Sequence, residues 1–187
     1  MSHKAGPAYG SGPSYRARGD LGRYALLPLR LFLGITFVYA GLDKLTDSAF
    51  LTSGDGQGSI GALMESVRGT AALPGLVDLA LKSPVGFGYA IAFGELAVGL
   101  GTLLGLFARI TAAGGALISL SLWLTVSWAA TPYYYGNDLV YLMAWLPLIL
   151  AGAPLLSADA VLAGRRRGRA RGGVPFSRVA TAARRGR

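Results

Sequence analysis

Four long apolar segments dominate the chain and alternate with polar segments. They cover residues 24–42, 85–107, 110–130 and 138–156. Each has about 20 residues, the length that an α-helix needs to cross the hydrocarbon core of a bilayer. A short connection, such as the turn predicted around Ala108 and Arg109, joins helices that run antiparallel. The pattern therefore predicts an all-α fold, an integral membrane four-helix bundle of antiparallel transmembrane helices.

The segment 43–84, between the first two apolar segments, is too mixed in polarity to cross a membrane. Within it, Ser59 is a candidate N-cap for a helix that reaches Arg68, because its hydroxyl can accept a bond from a free backbone amide. Pro74 is a candidate start for a second helix that reaches Leu81, since proline is tolerated in a first turn. We expect two short amphipathic helices in this first extracytoplasmic loop, lying at the membrane surface over the bundle.

Composition supports a membrane protein and divides the chain into three parts. Of the 187 residues, 52% are hydrophobic and 14% are charged, whereas soluble domains carry about 25% charged residues. Residues 1–23 are predicted as a flexible basic arm, 24–163 as the four-helix domain, and 164–187 as a disordered tail that holds nine of the 18 Lys and Arg. We interpret this tail as a cytoplasmic retention signal attracted to anionic membrane lipid, with nucleic-acid binding as the less favoured alternative.

The distribution of basic residues also predicts the orientation of the chain in the cell membrane. Four Lys or Arg precede the first apolar segment and nine follow the last, whereas the long loop has three and the loop 131–137 has none. Loops rich in Lys and Arg stay in the cytoplasm. Both termini and Arg109 are therefore predicted to be cytoplasmic, and the other two loops are predicted to face outwards.

Cysteine and histidine usage limits the chemistry that the chain can carry. The chain has no Cys and a single His, His3. This composition excludes thiol catalysis, iron–sulfur clusters and covalent or bis-His haem on this chain, and it argues against a zinc site. We expect no metal on the chain, so a redox centre would belong to a diffusible cofactor or to another subunit.

Two charged residues inside apolar segments are the candidate catalytic residues. Glu95 lies near the middle of the second segment, roughly 15 Å from its nearer end, where an ionisable group costs about 2.5–3.5 kcal/mol. Arg30 lies in the first segment, and the helical face that contains it also carries Gly34, Phe37, Gly41 and Lys44. We predict an internal ion pair between Arg30 and Glu95. The alternative for Arg30 is that it reaches the cytoplasmic headgroups. Glu95 is either mainly a structural ion-pair partner or a group that handles protons or substrate.

Aromatic residues accumulate in the third and fourth segments and in the loop between them. Flat aromatic walls beside an ionisable pair suit a quinone headgroup, so Trp123, Tyr141 and Trp145 are the candidate quinone-binding residues. The alternative is an aromatic belt at the membrane interface. Lys44 and Arg109 are the candidate cations for binding an anionic substrate.

Three motifs, taken in order, resemble those of the DoxX family of membrane proteins. The first is RLFLGITFVYAGLDKL, which runs from Arg30 to Leu45. The second combines Gly94 and Glu95 with Gly99, Gly105 and Arg109. The third is PYYYGNDLVYLMAW, from Pro132 to Trp145, followed by LAGAPLLSAD. This last motif is similar to the end of the DoxD branch of the family, and the resemblance as a whole covers roughly residues 24–163.

The DoxD branch is the small subunit of thiosulfate:quinone oxidoreductase. The resemblance therefore implies a membrane subunit of an enzyme that passes electrons from thiosulfate to quinone, with a second oxidoreductase subunit as its partner. In such a site, Glu95 would deliver protons and Arg30 would orient a quinone carbonyl. Two alternatives stay open: a non-catalytic anchor or scaffold of a redox or oxidative-stress complex, and a small proton-coupled carrier that would need to form a homo-oligomer.

Overall fold

The structure is a computed structural model and describes residues 24–53, 56–152 and 157. Over these residues the regular secondary structure of the chain is helical. These residues contain no strand. In chain order the helices are α1 (Leu27–Thr46), α2 (Ile60–Val67), α3 (Pro74–Lys82), α4 (Pro84–Leu104), α5 (Ala108–Thr125), a short 3-10 helix (Tyr133–Tyr135) and α6 (Asn137–Ala151). The four longest, α1, α4, α5 and α6, coincide with the four predicted apolar segments. The all-α prediction is therefore confirmed.

The helix ends differ from the predicted segment ends by a few residues. Helix α1 continues beyond residue 42 to Thr46, and α4 stops at Leu104 instead of residue 107. Three predicted regions lie outside the described residues: the basic arm 1–23, the Arg-rich tail 164–187 and the last part of the fourth segment, 153–156.

The turn predicted around Ala108 and Arg109 lies earlier in the chain. Gly105 follows α4 in the left-handed conformation, with φ 62° and ψ 37°, which ends a helix and which glycine adopts without a steric penalty. The amide of Leu106 then donates to the carbonyl of Gly101 at 2.9 Å, so a free carbonyl at the helix end is satisfied. As a result, both predicted turn residues are already part of α5.

Helices α1 and α4 pack antiparallel at very short range because glycines line their contact. A Cβ atom on Gly99 would lie 2.6 Å from the amide nitrogen of Val38 and 2.9 Å from the carbonyl oxygen of Gly34. A Cβ atom on Gly41 would lie 2.7 Å from the carbonyl oxygen of Ala92. Only a hydrogen atom fits at these positions, so the two backbones touch directly, as small residues allow in membrane proteins. The predicted face of α1 is thus its contact face with α4.

The main core lies between the four long helices. Its most deeply buried large side chain is Trp145 of α6, which is 0% exposed. The indole lies against Gly115 of α5, where a Cβ atom would lie 2.8 Å from the indole Cδ2. On the outward faces, by contrast, large apolar side chains such as Ile35, Leu117 and Leu150 are more than half exposed. Apolar surface on this scale is typical of helices that face lipid.

By length and composition, α4 and α5 are each long and apolar enough to cross a membrane. Helix α1 has 20 residues but carries Arg30, Asp43 and Lys44, and the described helix α6 has 15 residues. The described part of the chain therefore supports a membrane protein with two candidate spanning helices.

The predicted pair of short amphipathic helices is present and forms a cap over one end of the bundle. Ser59 accepts a hydrogen bond from the amide of Ala62 at 3.2 Å and so caps α2, while Pro74 is the first residue of α3. The two helices share a second apolar core, which also contacts Phe87 of α4 and Val126 beyond α5. We call this end of the bundle the capped end.

Replacing Gly99 by Leu is expected to separate α1 from α4 and to destabilise the folded protein by about 1–3 kcal/mol or more, because the added side chain meets backbone that cannot move aside. Gly94→Ala in the same helix is the matched control, since its Cβ would meet only Ile118 Cδ1 at 3.5 Å, an ordinary contact. Thermal unfolding in detergent measures both variants. Equal unfolding midpoints for the two would contradict the proposed backbone contact.

Candidate functional site

The centre of the candidate site is a buried ion pair between Lys44 and Glu95. Lys44 lies in the last turn of α1, and its Nζ donates to Glu95 Oε2 at 2.8 Å and to Oε1 at 3.1 Å. Glu95 is 3% exposed, whereas the Lys44 side chain is 23% exposed. Ionised groups removed from water need a close partner of opposite charge, and here both carboxylate oxygens have one.

The predicted pair between Arg30 and Glu95 is not formed. Arg30 is 14 residues before Lys44 in α1, which is about 21 Å along a helix. Because α1 and α4 run antiparallel, the start of α1 meets the end of α4, and Arg30 Nη2 donates to the carbonyl oxygen of Leu103 at 2.8 Å. A cation at this place interacts favourably with the carbonyl end of the helix. Arg30 therefore lies toward the opposite end of the bundle from the cap.

A third ionisable residue, Asp138, belongs to the same region as the ion pair. It lies in the first turn of α6 and accepts a hydrogen bond from the Ser127 hydroxyl. Asp138 is near enough to interact electrostatically with both Glu95 and Lys44. We call Lys44, Glu95, Asp138 and Ser127 the polar cluster. Asp138 was not among the predicted site residues, although it shares a helical face with Tyr141 and Trp145, which were.

Two of the three candidate quinone-binding aromatics come together. The ring of Phe37 lies 4.9 Å from Trp145 at 85° and 6.3 Å from Tyr141 at 88° (centroid distances), so both contacts are edge-to-face. Trp123 has its ring contact with Trp128 instead, at 5.4 Å. The structure thus groups Phe37, Tyr141 and Trp145, which we call the aromatic cluster.

Several buried polar atoms of the bundle have no hydrogen-bond partner within the part of the chain that the structure describes. They are Thr102 Oγ1, Ser119 Oγ and Trp145 Nε1. A donor left unpaired in a protein interior costs about 1–3 kcal/mol, so such groups call for a bound water or a ligand. Trp145 Nε1 belongs to the aromatic cluster, which therefore offers a hydrogen-bond donor as well as flat apolar surfaces.

Toward the uncapped end lies a small cavity. It is lined by Arg30, Thr102, Ala108, Leu148 and Gly152, and the space open to the centre of a water molecule is about 10 Å³. This is roughly the room needed for one water molecule.

Arg109 also lies toward the uncapped end and is exposed. Its Nη2 donates to the carbonyl oxygen of Leu150 at 3.1 Å, near the end of α6. The two candidate substrate cations, Lys44 and Arg109, are therefore found in different parts of the bundle, and only Lys44 adjoins Glu95.

Removing either member of the ion pair is expected to destabilise the protein by about 3–5 kcal/mol, because the other charge stays buried without a partner. The charge-swapped double variant Lys44→Glu with Glu95→Lys should recover a large part of this loss. Thermal unfolding in detergent measures the stability of the single variants and of the double variant. Lys82→Gln, on an exposed part of the cap, is the control for the loss of one positive charge. Equal unfolding midpoints for the swapped and the single variants would contradict a direct pair.

Comparison with known proteins identifies the family. The family model for DoxX matches residues 25–128, which is more than half of the 187 residues. The match ends before the segment from Pro132 to Trp145 on which the resemblance to the DoxD branch depends. Comparisons with curated proteins and with solved structures give no significant match. Since one family accounts for most of the helical region, the chain belongs to the DoxX family of membrane proteins.

Proposed function

We propose that this chain is the multi-pass membrane subunit of a quinone-linked oxidoreductase, in which the polar cluster and the aromatic cluster hold a quinone headgroup. The observation that carries the proposal is the buried pair Lys44–Glu95. Its Lys44 lies on the same face of α1 as Phe37. Lys44 and Phe37 are seven residues apart, about 10 Å along the helix. The same face of α1 thus carries a charged donor and, about two turns earlier, one wall of the aromatic cluster.

Each group of this site has a task in quinone chemistry. Reduction of a quinone to a quinol consumes two electrons and two protons, and negative charge develops on the carbonyl oxygens. The ammonium of Lys44 would stabilise that charge, and it would replace Arg30 as the cation at the quinone carbonyl. Glu95 fixes the position of Lys44 through both carboxylate oxygens. The indole N–H of Trp145 would donate to the second carbonyl, and Tyr141 would cover one side of the ring.

The electrons come from outside this chain. With thiosulfate as the donor, the balanced reaction is 2 S₂O₃²⁻ + quinone + 2 H⁺ → S₄O₆²⁻ + quinol. The chain has no Cys, and among the described residues there is no group of three or more acidic or His side chains that would hold a metal ion. We therefore assign the oxidation of thiosulfate to a second oxidoreductase subunit.

In the membrane, we place α1 and α6 across the bilayer together with α4 and α5, and the capped end on the outside. Basic residues in both termini and Arg109 support this orientation, because loops rich in Lys and Arg stay in the cytoplasm. The polar cluster would then lie toward the outer side of the bilayer and Arg30 toward the inner side.

A second candidate function is a non-catalytic membrane anchor for a redox or oxidative-stress complex. It is favoured by the double contact of Lys44 with Glu95, since a pair with both oxygens engaged can serve packing alone. The two functions predict different results for a conservative change at the pair in a protein that still folds. Quinone reduction would fall if the chain is the oxidoreductase subunit, and it would be unchanged if the chain is an anchor.

Orientation can be tested with single cysteines, because the chain has none of its own. Tyr134→Cys, in the exposed loop between α5 and α6, should react with a membrane-impermeant maleimide on intact cells. Phe107→Cys, in the exposed α4–α5 turn, should react only after the membrane is opened. Reaction of both residues from one side would contradict the proposed topology.

For the quinone site, Lys44→Gln and Tyr141→Leu are expected to lower labelling by a photoreactive quinone analogue in membranes. Quinone reduction by the intact complex should fall on the order of 10²-fold for Lys44→Gln, the usual cost of removing one group that stabilises developing negative charge. Tyr39→Leu is the matched aromatic control, since Tyr39 is 71% exposed on another face of α1. Normal labelling and turnover in correctly folded Lys44→Gln would favour the anchor instead.

A further inference from the structure

The loop between α5 and α6, residues 126–136, presents a group of exposed aromatic rings, and we call it the aromatic loop. Tyr133, Tyr134 and Tyr135 are each at least 60% exposed, and Trp128 is 47% exposed. Successive tyrosine rings contact each other edge-to-face, with centroid distances of 5.7 and 5.2 Å. Large rings that are exposed together and held in place by one another are typical of a surface that binds a partner.

The aromatic loop is closed at its base. The Ser127 hydroxyl donates to Asp138 in α6, and a Cβ atom on Gly136 would lie only 2.9 Å from the Cβ of Ser127. Within the loop, the amide of Tyr135 donates to the carbonyl oxygen of Pro132 at 2.9 Å. Backbone groups that bond within the loop do not need water as a partner. The loop is therefore suited to a layer less polar than bulk water.

The position of the aromatic loop at the end of α5 indicates what the rings bind. Helix α5 has 18 residues, about 27 Å, which is close to the ~30 Å of a hydrocarbon core. The chain beyond Thr125 would thus lie at the level of the lipid headgroups. Residues 110–137 contain no charged side chain, and Leu117 on the outward side of α5 is 66% exposed. The aromatic loop therefore continues an uncharged, lipid-facing surface.

We infer that the aromatic loop binds the headgroup layer of the bilayer and fixes the depth of the bundle in the membrane. Tyrosine and tryptophan combine an apolar ring with a polar tip, and they are the residues enriched at this level. Lipid is favoured over a second protein as the partner because the rings follow a helix that is long and apolar enough to span a membrane, with no charge in between. The headgroup layer is hydrated, so polar reagents still reach the loop.

The depth of the aromatic loop also determines the depth of the polar cluster. Ser127 belongs to both, and Asp138, to which it donates, follows Tyr135 by three residues. The polar cluster therefore begins within about one helical turn, ~5 Å, of the headgroup level. This consequence bears on the proposed function and rests on it: a quinone ring would reach Lys44 from the lipid just inside the headgroups.

Spin labels on single cysteines, in the full chain in lipid vesicles, test the inference. The chain has no Cys, so Tyr134→Cys carries one label. Gly69→Cys, where an added side chain meets open space, is the control for water, and Leu117→Cys is the control for the lipid core. Collisions of each label with oxygen, which concentrates in lipid, and with a water-soluble nickel chelate are measured. The oxygen-to-nickel ratio at position 134 should be several-fold above that at 69 and several-fold below that at 117.

Two results of this experiment would overturn the inference. A ratio at position 134 equal to that at 69 would place the aromatic loop in water. Weak collisions with both reagents would mean that protein covers the loop, either a second copy of this chain or another partner.

Trp128 gives a second readout that leaves the three tyrosines unchanged. Its fluorescence should be quenched more strongly by lipid that is brominated near the headgroup than by lipid that is brominated near the chain end. Trp128→Phe should remove most of this difference between the two lipids. A difference that Trp128→Phe leaves unchanged would contradict a place for Trp128 among the headgroups.

Neither measurement includes quinone, which separates the inference from the proposed function. If the aromatic loop lies among the headgroups and the chain takes up no photoreactive quinone, the lipid-binding surface stands and the proposed function fails. If the quinone is taken up while the loop lies in water, the proposed function stands and the inference fails.

Discussion

The close approach of α1 and α4 is the constraint on which the rest of the structure depends. Gly34, Gly41 and Gly99 remove the side chains that would keep the two backbones apart. Direct backbone contact fixes the antiparallel register, because glycine positions on one helix fit only certain positions on the other. That register places Lys44 beside Glu95, and it also carries Arg30 to the far end of α4. The ion pair is thus a consequence of glycine packing as much as of charge.

Local features of the chain could be predicted from sequence because they depend on neighbouring residues. The capping hydroxyl of Ser59 and the helix start at Pro74 are set by the chemistry of a helix end. The buried face of α1 follows from the helical repeat, and Phe37 and Gly41 on it are indeed buried. Two cations, Arg30 and Lys44, lie on that face, however, one near each end of α1. The helical repeat indicates which side of α1 a residue lies on, but not which end of α4 it meets. The predicted partner of Glu95 was therefore wrong.

Other features could not be predicted from the sequence, for a related physical reason. The end of α4 depends on one left-handed glycine, Gly105, inside a run that stays apolar to Phe107, so hydropathy alone placed the boundary too late. Asp138 looked like an ordinary first-turn acid, which is favourable at a helix N-terminus. Its proximity to Glu95 arises only when α6 packs into the bundle. The division of the aromatic residues has the same origin, since Trp123 turns to Trp128 and away from the predicted wall.

The uneven placement of charge along the bundle bears on the choice among membrane functions. Between the polar cluster and the cavity beside Arg30, the core is filled by apolar side chains that include Leu33 and Val98, each at most 9% exposed. A carrier has to move its substrate or proton past this layer, whereas an enzyme that meets a lipid-soluble quinone needs access to only one side of it. A cluster of ionisable groups on one side of an apolar layer fits exchange of protons with that side alone. The packing of the core therefore supports the proposed chemistry at the capped end over the alternative of transport through the bundle.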